Sequence, residues 1–118
     1  MDLDKAIGAH ADWKIKLRRA LDEHETLDAE RLSADCHCEL GQWLHGPGRV
    51  ALGSNPTFLS CVEAHRDFHA AAGAVARKIN AKDYAAATAQ LDIGSAFANA
   101  STAVAVAVRR LKRDTAPA

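Results

Sequence analysis

Aromatic residues are scarce: two Trp, one Tyr and three Phe in 118 residues. The chain is nonetheless 48% hydrophobic, and alanine fills the gap, which suits close-packed helices better than a sheet. Neither sign of charge dominates. Fifteen basic residues face fifteen acidic ones, so there is no basic field to hold nucleic acid. No uncharged run is long enough for a membrane span. The longest goes from Ile93 to Val108, short of the roughly 20 residues a span needs, and it includes Ser95, Asn99, Ser101 and Thr102. Cysteine is too rare, and odd in number at three, for a disulfide framework. The opening Met1-Asp2-Leu3-Asp4-Lys5 is acidic and helix-like rather than a signal peptide. These features argue for a reducing cytoplasm, where thiols serve metals or redox chemistry. No repeat or low-complexity linker divides the chain. The expectation is one domain over residues 1–114, with 115–118 as a flexible tail.

What remains is helical periodicity. Ala6, His10, Trp13, Leu17 and Ala20 recur at steps of three and four, one buried stripe of a helix from about Leu3 to about Leu27. A shorter helix is expected to begin near Ser33, a good N-cap. It would carry Leu40, Trp43 and Leu44 and stop at Gly46-Pro47-Gly48. Asn55-Pro56 reads as an N-cap with proline in the first turn. From there Phe58, Val62, His65, His69, Ala72, Ala76 and Ile79 keep the helical step. A last helix starts near Asn80–Asp83 and reaches about Arg113, with Tyr84, Ala87, Leu91, Gly94, Ala98, Ser101, Ala105 and Val108 along one face. Val104–Val108 also alternates like a strand, but nothing nearby offers it a partner. The fold class predicted is all-α, an antiparallel four-helix bundle.

Within the apolar stripes lie side chains that do not belong in a plain core. In His65-Arg66-Asp67-Phe68-His69 the two imidazoles are four residues apart and share a helix face. His10 sits in the stripe of the first helix. Cys38 begins Cys38-Glu39-Leu40-Gly41-Gln42-Trp43. Three histidines and one cysteine on three segments are a full ligand set for tetrahedral zinc. Burying them unpartnered would cost about 1–3 kcal/mol per polar group, a penalty that a shared cation removes. Rival sites lack their parts. A di-iron bundle needs glutamate three residues before each histidine, where Val62 and Arg66 stand. A haem would need Cys-x-x-Cys-His. A metalloprotease would need glutamate directly after the first histidine, and Arg66 occupies that place.

In this set of motifs, His10 with Trp13, then Cys38-x-Leu40-Gly41-x-Trp43, then His65-x-x-Phe68-His69, the chain resembles the chemoreceptor zinc-binding domain family from about Ala6 to Phe97. The resemblance implies a four-helix bundle, often dimeric, with a zinc site of His10, Cys38, His65 and His69. It also implies a part in chemotaxis receptors or diguanylate cyclases, sensing zinc or oxidants such as hypochlorous acid. Such domains usually ride on a signalling domain, and none is expected within these 118 residues. The alternatives are a structural zinc bundle without switching and a metal-trafficking protein.

The family motif favours Cys38 over Cys36, which on a helix would project about 200° away and is read as a surface or rim thiol. Cys61 is read as a core residue, with a resolving thiol for Cys38 as the sharper alternative. Trp13 and Trp43 are expected to anchor the core beside the site, Phe68 to pack into a neighbouring helix, and Gly41 to let a backbone come close. Asp12, Asp35 and Asp67 are candidate acceptors for imidazole protons, though ordinary solvated carboxylates suffice. His24, His37 and His45 are read as surface residues. A four-ligand site has no open position for substrate water, so no enzyme activity is expected. Sensing would need reversible loss of the thiolate, freeing the short second helix. Val104–Val108 is apolar on every face, which points to a homodimer, with Arg109, Arg110, Lys112 and Arg113 as a basic helix end.

Overall fold

The computed structural model describes residues 1–115. Asp2 starts α1 (Leu3–Glu23) by accepting the Lys5 amide at 3.0 Å, satisfying a donor that has no partner inside the helix. The helix stops four residues before the expected Leu27. His24 turns left-handed (φ 55°), and its amide closes on the Ala20 carbonyl. The His24 ring then stacks on Tyr84, with centroids 4.0 Å apart.

The second leg comes in three pieces: α2 (Ala29–Ser33), α3 (Glu39–His45) and α4 (Pro47–Leu52). The expected N-cap at Ser33 is overturned. Ser33 is the last residue of α2, and its hydroxyl donates back to the Ala29 carbonyl at 2.7 Å. Such back-bonding is the other local habit of serine. The chain leaves the helix at Ala34, and Cys38 itself caps α3.

The third leg, α5 (Pro56–Asn80), is unbroken, and the Asn55 side chain accepts from Thr57 and Phe58 at 2.8 and 3.2 Å. The fourth is α6 (Tyr84–Leu91) followed by α7 (Ala96–Thr115). A continuous helix was expected here. It is interrupted where Gly94 adopts φ +85° and the Ser95 hydroxyl caps the Ala98 amide at 3.1 Å. Gly94 is exposed rather than on the buried face, which is carried by Phe97, Val104, Val108 and Leu111. Thr115 is helical, not tail; the remainder of the expected tail, 116–118, lies outside the described residues.

Contacts between the legs fix their directions. The Asn80 amide clamps the Leu27 backbone, accepting from its N–H and donating to its carbonyl, both at 2.8 Å. The C-terminal ends of α1 and α5 therefore lie side by side. At the other end Lys112 reaches Asp4 at 2.6 Å and Thr57 donates to Asp114 at 2.7 Å. These bonds bring the end of α7 to the starts of α1 and α5. The legs run up, down, up, down, an antiparallel four-helix bundle with no strand among the described residues. Its core is Leu17, Leu40, Leu44, Phe58, Phe68, Ile79, Leu91, Phe97 and Leu111, each 2% exposed or less. Burial of such side chains contributes about 1.5–3 kcal/mol apiece.

Candidate metal centre

Three legs meet at one level of the bundle. α1 contributes His10, α5 contributes His65 and His69, and the start of α3 contributes Cys38. Their ligating atoms all lie within 4.8 Å of one another. The Cys38 sulfur is 3.1 Å from His65 Nε2, 3.5 Å from His69 Nε2 and 3.8 Å from His10 Nε2. The three imidazoles stand nearly edge to face, with centroids 4.5–5.4 Å apart. His10, His65 and His69 are 5%, 0% and 3% exposed, while Cys38 is half-buried.

The protons can be placed from the hydrogen bonds. His10 Nδ1 lies 2.7 Å from the Ala6 carbonyl and His69 Nδ1 lies 2.9 Å from the Leu32 carbonyl. A carbonyl only accepts, so each Nδ1 carries the proton and each Nε2 turns a lone pair into the cluster. His65 Nδ1 is buried without a partner among the described residues, so that ring's polar contacts run through Nε2 alone. Burial pushes His65 down to about 3, with the neighbouring imidazoles adding to it. His10 and His69 are also lowered, chiefly by burial. All three rings are therefore neutral at pH 7.

This arrangement fits a cation and little else. Two inward lone pairs, of His10 and His69, and the Nε2 of His65 face one thiol, which has one proton to share. Metal–nitrogen and metal–sulfur bonds of about 2.05 and 2.3 Å at a tetrahedral angle would place their outer atoms about 3.6 Å apart, which the three sulfur–nitrogen distances bracket. Burial pushes the Cys38 thiol up, so the metal-free chain keeps its proton there. Cys38 would hold a cation as the thiolate, and the Gly41 amide, donating to the sulfur at 3.3 Å, would support that charge.

A scan against known families matches the chemoreceptor zinc-binding domain over residues 10–76, more than half of the chain and all four donors. The chain belongs to the chemoreceptor zinc-binding domain family. No curated protein and no solved structure matches it. The protein is thus a zinc-binding-family bundle with a three-histidine, one-cysteine cluster able to hold a metal.

Further residues hold the donors of this zinc-binding domain in place. A Cβ on Gly41 would lie 1.8 Å from the Asp35 carbonyl oxygen and 3.2 Å from the His65 ring. Glycine there lets the 34–38 turn fold against α3, the close backbone approach expected of it. Gly73 does the same for α2, since a Cβ would meet the Ser33 hydroxyl at 1.8 Å. That approach delivers the Leu32 carbonyl to His69, and the only sign of it in the sequence is a lone glycine inside a helix. Sequence reasoning missed both carbonyl acceptors. It offered carboxylates instead, and Asp12 and Asp67 are exposed. Asp35 lies 3.2 Å from His45 Nε2; His45 is exposed, as expected, but this contact ties it to the turn. Cys36 is exposed in that turn, not on a helix. Cys61 is a 0% exposed core residue, its thiol pushed up to about 11 by burial. The geometry brings Cys38 to the histidines without Cys61. Phe68 packs on Phe97 of α7 and Trp43 on Phe58. Trp13 is only half-buried, with Lys16 over its ring at 4.7 Å.

Proposed function

We propose that the domain is a regulatory zinc binder, with Cys38 as the switchable ligand. The observation that carries this reading is the asymmetry of the donors. Three are buried imidazoles on unbroken helices, and the fourth is a half-buried thiol at the joint between a turn and a seven-residue helix. Zinc suits a mixed nitrogen and sulfur set and has no redox chemistry of its own. When bound, it supplies a cross-link between the first, second and third legs. Four protein donors close the site, so the domain acts by binding rather than catalysis.

The thiolate is the donor that a chemical signal can remove. Hypochlorous acid takes two electrons from it, giving a sulfenic acid and chloride, and a sulfenic acid is a poorer ligand. A fall in zinc would empty the site directly. Either way the 34–38 turn and α3 lose an anchor, while His10 and His69 keep their bonds to the Ala6 and Leu32 carbonyls. In a bacterial cytoplasm the output would pass to a chemoreceptor or a diguanylate cyclase. A second copy of the chain would cover the fourth leg, where only 22% of the residues in the most apolar stretch are buried and Val106 remains 38% exposed.

The test combines metal analysis with hydrogen exchange. Purified protein should hold zinc, and Cys38→Ala and His65→Ala should lose it. Zinc removal or hypochlorite should raise exchange in residues 34–45 while α5 stays protected. Equal protection in both states would reduce the site to a structural staple.

A further inference from the structure

The four donors are almost closed off, yet one side is open. A cavity of about 230 Å³ reaches the site, and Cys38, His69, Trp13 and Ala34 are among the residues that line it. Asp28 and His37 stand on its rim and also line an adjoining surface depression, which makes the cavity continuous with solvent. The depression is lined by Glu30 and Arg31 as well, so two acidic residues and one arginine stand at the mouth. That balance favours an approaching cation. His10 and His65 do not line the cavity, whereas Cys38 and His69 do.

We infer that this cavity is the port through which a divalent cation, and small thiol-directed reagents, reach the four donors, with Ala34 and Trp13 setting its width. The part concerning the cation rests on the zinc reading above. Trp13 on α1 and Ala34 in the turn after α2 line the cavity from different legs, and Ala34 also lines the outer depression, so the side chain at position 34 stands where the cavity meets the surface. The backbone at Ala34 is extended (φ −84°, ψ 136°), a conformation any residue adopts, so a larger side chain there fills the port without strain. Asp28 also caps α2, accepting the Arg31 amide at 3.0 Å, and is left untouched by the test.

A port changes rates and leaves equilibrium alone. In stopped flow with zinc and a fluorescent chelator, Ala34→Trp should slow uptake and release together by about tenfold or more, leaving the dissociation constant within twofold. Ala34→Leu should give a smaller slowing in the same sense, and it reads the port if the tryptophan variant fails to fold. Trp13→Ala should quicken both rates. A second measurement needs no metal. In a Cys36→Ser background, methyl methanethiosulfonate should label Cys38. The thiolate attacks the sulfenyl sulfur, a disulfide forms, the sulfur–sulfonyl bond breaks and methanesulfinate leaves. The plugs should slow this labelling in the same order, read by mass spectrometry. Unchanged rates in a folded Ala34→Trp protein would overturn the port. Failure to take up zinc at all would overturn the zinc reading instead, and the labelling would still decide whether the cavity is the way in.

Discussion

The ascending legs and the first descending leg solve the same local problem in opposite ways. α1 and α5 are continuous helices of 21 and 25 residues, each opened by a side-chain cap and closed by a backbone N–H. The leg between them is cut into pieces of five, seven and six residues. The histidines ride on the continuous legs and the cysteine on the broken one. A helix that short has no stability of its own in water, so α3 depends on what it is packed against and bonded to. The histidines are held whether or not a cation is present. The thiol is held largely by its partners.

Removing donors tests this difference with the largest effect. Loss of supporting contacts around a metal typically costs 10- to 100-fold in affinity, so loss of a donor itself should exceed about hundredfold in zinc titrations of either Cys38→Ala or His65→Ala. The two should differ in where the fold loosens. Cys38→Ala should free residues 34–45 to exchange even with zinc in excess. A uniform increase across α1 and α5 in that variant would erase the distinction between the legs.

Acid attacks the continuous legs instead. Burial holds the three histidines below their ordinary values, His65 at about 3. In the unfolded chain they titrate near 6.5. Between those limits the unfolded state binds more protons than the folded one, so stability falls as pH falls. The zinc-free domain should therefore lose stability from about pH 6.5 downward, by up to about 4 kcal/mol per pH unit if all three act together. Denaturant titrations across that range check it. A flat profile would mean that the imidazoles are far less buried than their packing implies.

How much of this was legible in the sequence follows the same division. The phases of α1 and α5 could be read because ten or so apolar positions repeat without interruption, and the buried histidines fall in step with them. The second leg could not. Ser33 is equally at home before a helix and at its end, and 34–38 has no glycine or proline to announce a break. In the fourth leg the Gly94-Ser95 signal was present, but the apolar period of alanine and valine ran through it. The four donors were legible because their side chains are chemically distinctive. The partners of His10 and His69 were not, because a backbone carbonyl at Ala6 or Leu32 has no signature in the sequence; only a folded backbone aims it.

The smallest prediction uses one substitution at two places. Gly41→Ala should cost about 1–3 kcal/mol and weaken zinc binding, since its methyl would collide with the Asp35 carbonyl and shift the turn that presents Cys38. Gly8→Ala lies inside α1, exposed, with nothing within 4 Å of the new carbon. There the change only removes backbone freedom from the unfolded chain, and it should stabilise the domain by about 0.5–1 kcal/mol with zinc affinity unchanged. Thermal melts of both variants measure the pair. If Gly8→Ala also weakened zinc binding, strain in α1 would be reaching His10, and the ascending legs would be no more rigid than the broken one.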